Sequence, residues 1–235
     1  MTVATRSLLV IMAKEPVPGK VKTRLQPRLS PDESAALYTC FLQDRLEEMR
    51  TLSGAEVAVA YTPPIAVGTF TSLVPDTFRL IPQRGSTLTE RLAAVTASAF
   101  ADRYRFVVVM DSDSPDLPKE RVLQSFTLLA EGADVVFGPC RDGGYYLVGL
   151  REATVGIFED IPWSTSRVLR ESLARAASLG LTTALLEPWQ DIDTYEDLQE
   201  FVHRRSSGEE TNTAPCAKTM AFLEAKGLLP PRGGA

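Results

Sequence analysis

The chain has 235 residues, 44% of them hydrophobic and 23% charged, with a formal net charge of −5. That length suits one large α/β domain with a substantial core, and the negative balance excludes a general nucleic-acid binder, which carries a basic face. No apolar run approaches the roughly 20 residues that span a bilayer, and the apolar stretch at 8–12 is too short for a signal-peptide core, so a cytoplasmic protein is expected.

Residues 8–12 read as a buried strand, followed by a loop rich in Pro, Gly and Lys. Ser30-Pro31-Asp32-Glu33 starts a helix: Ser30 is the N-cap, proline takes the first helical position and Glu33 closes a capping box. The helix runs to about Arg50, with Ala35, Leu42, Leu46 and Met49 on one face. Strands follow at 56–61 and 78–81. Residues 87–101 form a helix with Leu88, Leu92, Val95 and Ala99 on one face. The central strand, 105–110, precedes a helix at 118–131. Residues 134–138 and 145–150 are strands around the turn Arg141-Asp142-Gly143-Gly144. A helix at 165–179 stops at Gly180. A short strand, 182–186, leads to Thr194-x-x-Asp197, which opens a helix carrying Leu198, Phe201 and Val202. Strands alternating with helices predict a mostly parallel sheet covered on both faces. Residues 1–204 are read as one domain. Residues 205–235 are read as a polar linker, a short helix at 215–226 closed by Gly227, and a frayed tail from Leu228.

Three scattered cysteines, Cys40, Cys140 and Cys216, suggest neither a disulfide framework nor a C-x-x-C metal site. Cys140 lies nearer the acidic loops, where most cysteines are inert. The only histidine, His203, sits beside Arg204 and Arg205 on an exposed helix face. Without a histidine partner, a Ser-His-Asp triad or a histidine-ligated zinc site is not expected. Carboxylates, basic groups and a metal must supply any chemistry.

Four constellations fit that requirement. The central strand ends in Asp111-Ser112-Asp113, and a second acidic pair, Asp191-Ile192-Asp193, follows a later strand. Carboxylates at strand carboxyl ends make a hard-oxygen site for Mg²⁺ or Mn²⁺ shared with substrate phosphates, so Asp111, Asp113, Asp191 and Asp193 are candidate metal ligands. Asp193 has a competing role in capping the next helix. The loop after the first strand holds Lys14, Lys20, Lys22 and Arg24 against one acid, Glu15, and is shaped by Pro16, Pro18 and Gly19. It suits a di- or triphosphate; it is neither a Walker loop nor a dinucleotide fingerprint. In Asp142-Gly143-Gly144-Tyr145, the glycines permit close approach of a ligand and Asp142 is placed to act on an acceptor hydroxyl, or the segment is an ordinary turn. Trp163 either stacks on a sugar or seals the core.

These segments together resemble a bacterial family of GT-A-fold, nucleotide-diphospho-sugar-transferase-like proteins described as glycosyltransferases of the arsenosugar-biosynthesis type. The carrying stretches are LVIMAKEPVPGKVKTRL (9–25), DSDSPDLP (111–118), FGPCRDGGYYLVGL (137–150) and DIDTYEDL (191–198). The resemblance covers residues 8 to about 202. It implies the GT-A fold over 1–204, nucleotide contacts from the first loop and from Gln83, Arg84 and Gly85, and metal binding by Asp111, Asp113 and Asp193. The same superfamily includes molybdenum-cofactor and phospholactate guanylyltransferases, whose first loop is glycine-rich where this chain has proline and lysine. The leading expectation is therefore metal-dependent transfer of a sugar from a nucleotide sugar to a small-molecule acceptor, with Asp142 and Asp113 as catalytic residues and Gly143, Gly144, Tyr145 and Trp163 around the acceptor or sugar. The alternatives are nucleotidylyl transfer from a nucleoside triphosphate with release of pyrophosphate, and a non-catalytic nucleotide-binding protein.

Overall fold

The computed structural model describes residues 6–26, 28–207 and 213–229; the expected linker and tail fall partly on 208–212 and 230–235, outside the described residues. Among the described residues there are seven strands and seven α-helices, alternating for most of the chain. In chain order they are β1 (Ser7–Lys14), α1 (Pro31–Met49), β2 (Glu56–Thr62), α2 (Val67–Leu73), β3 (Arg79–Pro82), α3 (Leu88–Ala101), β4 (Phe106–Met110), α4 (Lys119–Glu131), β5 (Val135–Pro139), β6 (Tyr145–Leu150), α5 (Val168–Ser178), β7 (Thr183–Leu185), α6 (Tyr195–Ser207) and α7 (Ala217–Ala225). The sheet order is β3-β2-β1-β4-β6-β5-β7. All neighbours are parallel except β6, which runs antiparallel to both β4 and β5.

The strands read as near-continuous apolar runs because both faces are covered. Along β1, Leu9, Ile11 and Ala13 pack with Leu42, Leu46 and Met49 of α1, Phe70 of α2 and Leu129 of α4. Leu8 and Val10 point the other way, toward Leu92, Val95 and Ala99 of α3 and Ala176 of α5. A third core lies beside the sheet. There Val21 and Leu25 of the first loop meet Leu37 and Phe41 of α1, Ile192, Phe201 of α6 and Leu223 of α7. This cluster pins the first loop and the 191–193 segment against the same helix, which brings two distant basic and acidic stretches to one end of the sheet.

Helix starts are set by local chemistry. Ser30 Oγ accepts from the Glu33 amide at 3.2 Å while the Glu33 carboxylate accepts from the Ser30 amide at 2.9 Å. Thr87 and Glu90 repeat this box at α3. Asp44 of α1 accepts from the Lys218 and Thr219 amides at 2.9 and 2.7 Å, satisfying donors at the start of α7. The structure departs from expectation at three places. Helix α2 was not anticipated. The expected helix at 165–179 begins only at Val168, leaving residues 164–166 as loop. Leu88, expected on the apolar face of α3, is 41% exposed.

Candidate functional site

The carboxyl ends of β1 and β4 and the amino end of β6 open onto one cleft, because β6 is reversed. The loop leaving β1 is tied down by its own bonds. The Glu15 amide donates to Thr62 O at 2.8 Å, Val17 N to Glu15 O at 2.8 Å and Lys20 N to Val17 O at 3.0 Å. Lys14 Nζ donates to Lys20 O at 2.6 Å. Lys22 then adopts a left-handed backbone, φ 47°, and turns the chain into the 3-10 segment Thr23–Leu25. Lys14, Gly19, Lys20 and Arg24 remain exposed on this loop.

Lys22 does not. Its ammonium sits 2.8 Å from Asp113 Oδ1 and 2.8 Å from Asp193 Oδ1, and its side chain is only 5% exposed. Arg24 Nη1 stands 3.7 Å from Asp193 Oδ2. Sequence reading placed Lys22 on a phosphate; the fold uses it as the counter-charge between two carboxylates from different ends of the chain. Burial alone would lower the Lys22 pKa, but Asp113 and Asp193 outweigh it and raise it. Burial likewise opposes ionisation of Asp193, yet Lys22 holds its carboxyl below the usual range.

Asp111 and Asp191 have no such partner. Neither makes an ion pair to a cationic side chain among the described residues. Burial, reinforced by Asp113 and Asp191, raises Asp111 well above the ordinary carboxylate value. Burial, with Asp193 and Asp142, pushes Asp191 up to about 7. These are hard-oxygen donors whose mutual repulsion a divalent cation would relieve. Asp113 and Asp193, which share the one Lys22 ammonium, are the less available half of the expected ligand set.

The acidic loop is held from behind. Asp113 N donates to Asp111 Oδ1 at 3.1 Å, and Asp111 N to Tyr146 O at 3.0 Å. The Tyr38 hydroxyl bridges the Lys14 amide, at 3.0 Å, and Ser112 Oγ, at 2.8 Å. The fully buried Arg45 guanidinium of α1 donates to the carbonyls of Ser114 and Leu117. Asp116 faces away from the cleft, buried against Trp189 Nε1 at 3.2 Å. Ile192 N donates to Asp113 O at 3.1 Å and so docks the second acidic pair beside the first.

The turn between β5 and β6 completes the cleft. Asp142 Oδ1 accepts from the Gly144 amide at 2.8 Å. Gly143 has φ 92°, and a Cβ there would lie 2.2 Å from the Ser166 carbonyl oxygen, so only glycine fits. A cavity of about 470 Å³ is lined by Asp111, Asp113, Asp142, Asp191 and Asp193, by Gly144, Tyr145 and Trp163, and by Ser164, Thr165 and Ser166. A second cleft, about 520 Å³, is lined by Lys14, Lys20, Lys22 and Arg24 and shares Arg24, Asp113, Ser164 and Asp193 with the first. Trp163 is anchored by its Nε1 to Thr89 Oγ1 at 2.8 Å and stands edge-on to Tyr145. Gln83 and Gly85 lie in neither lining. The Gln83 amide is buried and donates to Ala13 O and Ala60 O, and Gly85 packs where a Cβ would meet Glu90 Cβ at 2.4 Å. The resemblance implied nucleotide contacts for both, and both lie outside the two cleft linings. Sequence reading singled out residues 161–166 for Trp163 but took Ser164–Ser166 only as the cap and start of the next helix, and it gave Cys140 no role. The Cys140 thiol converges with carboxylates of Asp142 and Asp191 so that the three donor atoms lie within 4.8 Å of one another.

Among the described residues no helix is long and apolar enough to cross a membrane. Residues 45–165 match the family described as "Uncharacterized protein conserved in bacteria (DUF2064)". No curated protein matches the sequence. Among solved structures, a proposed nucleotide-diphospho-sugar transferase from Desulfovibrio desulfuricans G20 is 31% identical, with 93% of this chain and 95% of that one covered and a TM-score of 0.84. CMP:2-keto-3-deoxy-manno-octonic acid synthetase complexed with CTP is similar at 15% identity, over 87% of this chain and 100% of that one, with a TM-score of 0.57. So is 4-diphosphocytidyl-2C-methyl-D-erythritol synthase from Anaerococcus prevotii DSM 20548, at 12% identity over 83% and 93%, with a TM-score of 0.57. The fold is that of the nucleotide-diphospho-sugar transferases.

Proposed function

Because the chain belongs to the bacterial DUF2064 family and shares the fold of nucleotide-diphospho-sugar transferases, we propose that it is a metal-dependent transferase that moves a sugar from a nucleotide sugar to a small hydroxyl acceptor. The observation that carries this reading is the pair of confluent clefts, one basic and one acidic and aromatic, meeting at Asp113, Asp193 and Arg24. A diphosphate is suited to the basic cleft, where Lys20 and Arg24 offer exposed charge-assisted donors. A sugar is suited to the cavity beside Tyr145 and Trp163.

The direction of transfer is favoured by the loop's amides. Pro16 and Pro18 have no N–H, and the amides of Glu15, Val17 and Lys20 already bond to carbonyls. Between residues 15 and 20 that leaves the Gly19 amide alone, short of the row of free backbone N–H groups that wraps a triphosphate. Sequence resemblance to glycosyltransferases of the arsenosugar type points the same way.

In this mechanism Asp111 and Asp191 would hold Mg²⁺ or Mn²⁺, whose chemistry when bound is to offset the charge of a departing diphosphate. Arg24 and Lys20 bind and orient that diphosphate. Asp142, at the cavity mouth, accepts a hydrogen bond from the acceptor hydroxyl and receives its proton as the oxygen bonds to the anomeric carbon and the bond to the diphosphate oxygen breaks. Lys22 keeps Asp113 and Asp193 in register without touching substrate.

The test is product analysis. Purified protein with Mn²⁺ is offered a panel of nucleotide sugars with hydroxyl acceptors and, separately, nucleoside triphosphates with sugar phosphates. Free nucleoside diphosphate in the first set is expected. Pyrophosphate in the second set alone would replace this reading with nucleotidylyl transfer.

A further inference from the structure

Part of the wall of the acidic cavity is apolar, and the fold leaves it uncovered. On the face of β1 that meets α3, Leu8 and Val10 are buried, but Met12 is only partly so. Met12 belongs to the same apolar cluster as Leu92 of α3, Val109 of β4 and Val148 of β6, and all four line the cavity of about 470 Å³. Leu88, one turn before Leu92 on α3, lines it as well and is 41% exposed. A single exposed leucine on a surface is ordinary. A leucine continuous with an open core face, inside a cavity of small-molecule size, marks a binding surface. These residues offer a ligand no hydrogen bond. Their side chains carry no oxygen and no N–H or O–H group, and the Val109 backbone is paired on both sides, with Val10 and Val148. Thr89, next to Leu88, spends its hydroxyl accepting from Trp163 Nε1 and donating to Phe158 O. The carboxylates of the lining, Asp111, Asp142 and Asp191 among them, come from strand ends and the β5–β6 turn instead.

We propose that Met12, Leu88, Leu92 and Val109 seat the aryl or alkyl body of the acceptor, which is therefore an amphipathic alcohol or phenol and not a polyol such as a second sugar. The inference deepens the proposed function by naming its acceptor class, and it rests on that reading for the claim that the cavity takes the acceptor. A polyol hydroxyl pressed onto these side chains would give up water with no partner in return, a net cost. An aryl or alkyl group placed there gains by removing apolar surface from water on both sides of the contact. The same molecule presents its hydroxyl to Asp142, as the proposed function requires. The sugar keeps its place beside Tyr145 and Trp163, and the diphosphate keeps the basic cleft. Five aspartates in the lining disfavour a carboxylate or phosphate on the acceptor body.

The experiment uses the full chain with Mn²⁺ and compares benzyl alcohol and hexan-1-ol with glycerol and glucose, binding being read by saturation-transfer NMR. The apolar alcohols are expected to bind at concentrations lower by about tenfold or more, the discrimination that one methylene in an apolar pocket supplies. Leu88→Asn should weaken their binding by about tenfold while the melting temperature stays near that of wild type, because the side chain is 41% exposed. Leu88→Met should keep the binding. Glucose or glycerol bound as well as the apolar alcohols would overturn the inference. So would a dimer in sedimentation that Leu88→Asn dissociates, since the apolar face would then belong to a second copy. With nucleotide sugars present, nucleoside diphosphate released to polyols alone would overturn the inference and leave the proposed function standing. Apolar alcohols that bind, and lose affinity in Leu88→Asn, with no nucleoside diphosphate released from any donor would uphold the seat and overturn sugar transfer.

Discussion

Replacing Lys22 by methionine removes the single ammonium that Asp113 and Asp193 share. The two carboxylates would then face one another in a half-buried cleft with only the exposed Arg24 guanidinium, 3.7 Å from Asp193, as counter-charge. Because their side chains keep 32% and 39% exposure, the loss should fall between the surface and fully buried limits, about 2 kcal/mol, read by urea unfolding at pH 7. Asp193 is held below its ordinary pKa, so its contribution is present above the unfolded value and fades as pH falls through the lower folded one. The gap between wild type and Lys22→Met should therefore narrow below about pH 4; a gap that stays constant to pH 3 would show that the ion pair is not its source. Arg24 behaves differently, being 69% exposed. Arg24→Ala should leave stability nearly unchanged while weakening nucleoside diphosphate binding, measured by calorimetry, by about 1.5–3 kcal/mol if the donor is desolvated on binding.

At the scale of elements, α1 acts as the strut behind the acidic loop through Arg45. Arg45→Ala leaves the Ser114 and Leu117 carbonyls without their donor and opens a void, and should destabilise the fold by about 3 kcal/mol or more in chemical denaturation. Arg45→Lys should recover little, because a flexible ammonium does not reproduce the fixed planar fork with which the guanidinium meets both carbonyls. The turn before β6 gives a contrast between two glycines. Gly143→Ala forces a Cβ into the Ser166 backbone and should cost more in thermal melting than Gly19→Ala, where positive φ meets open space. These devices were unequally legible in the sequence. The capping boxes at Ser30 and Thr87 act over three residues, and both helices begin where the pattern put them. Helix α2 did not announce itself, because Val67-Gly68-Thr69 is poor in helix formers and no capping side chain precedes it. The late start of α5 was equally hidden, since Thr165 and Ser166 read as caps but lie in the cavity wall. Four cleft aspartates stand out as strand-end acids and Asp142 as part of a glycine turn, whereas the partners of Lys22 could not be read, because they lie 91 and 171 positions away and meet it only in space. Arg45 carried no signal in the sequence for the same reason, and Cys140 stood out only by lying near the acidic loops.

Over the whole molecule, a crowded acidic cleft sets how stability responds to pH. Asp191 has its folded pKa raised to about 7, so its contribution to stability is present below the unfolded carboxylate value and is lost as pH rises toward 7. In chelator, the melting temperature of wild type relative to Asp191→Asn should fall from pH 5 to pH 8. A saturating divalent cation should reverse that fall, since an ion bound only by the folded state stabilises it; identical pH profiles for the two proteins would remove Asp191 from the cleft's electrostatics. The reversed strand β6 and the reach from Lys22 to Asp193 also bear on how the chain is made. Ribosomal synthesis delivers Lys22 first, and its two counter-charges emerge 91 and 171 residues later. Until then a nascent chain carries that ammonium in water, and the Val21–Leu25 segment lacks Ile192 and Phe201 to close over it. A chain halted before Asp191 could pair β1 through β6, yet it would not enclose the cleft. On the function proposed above, binding competence then arrives only once Asp191 and Asp193 have emerged, so a chain halted before them would not sequester nucleotide on the ribosome.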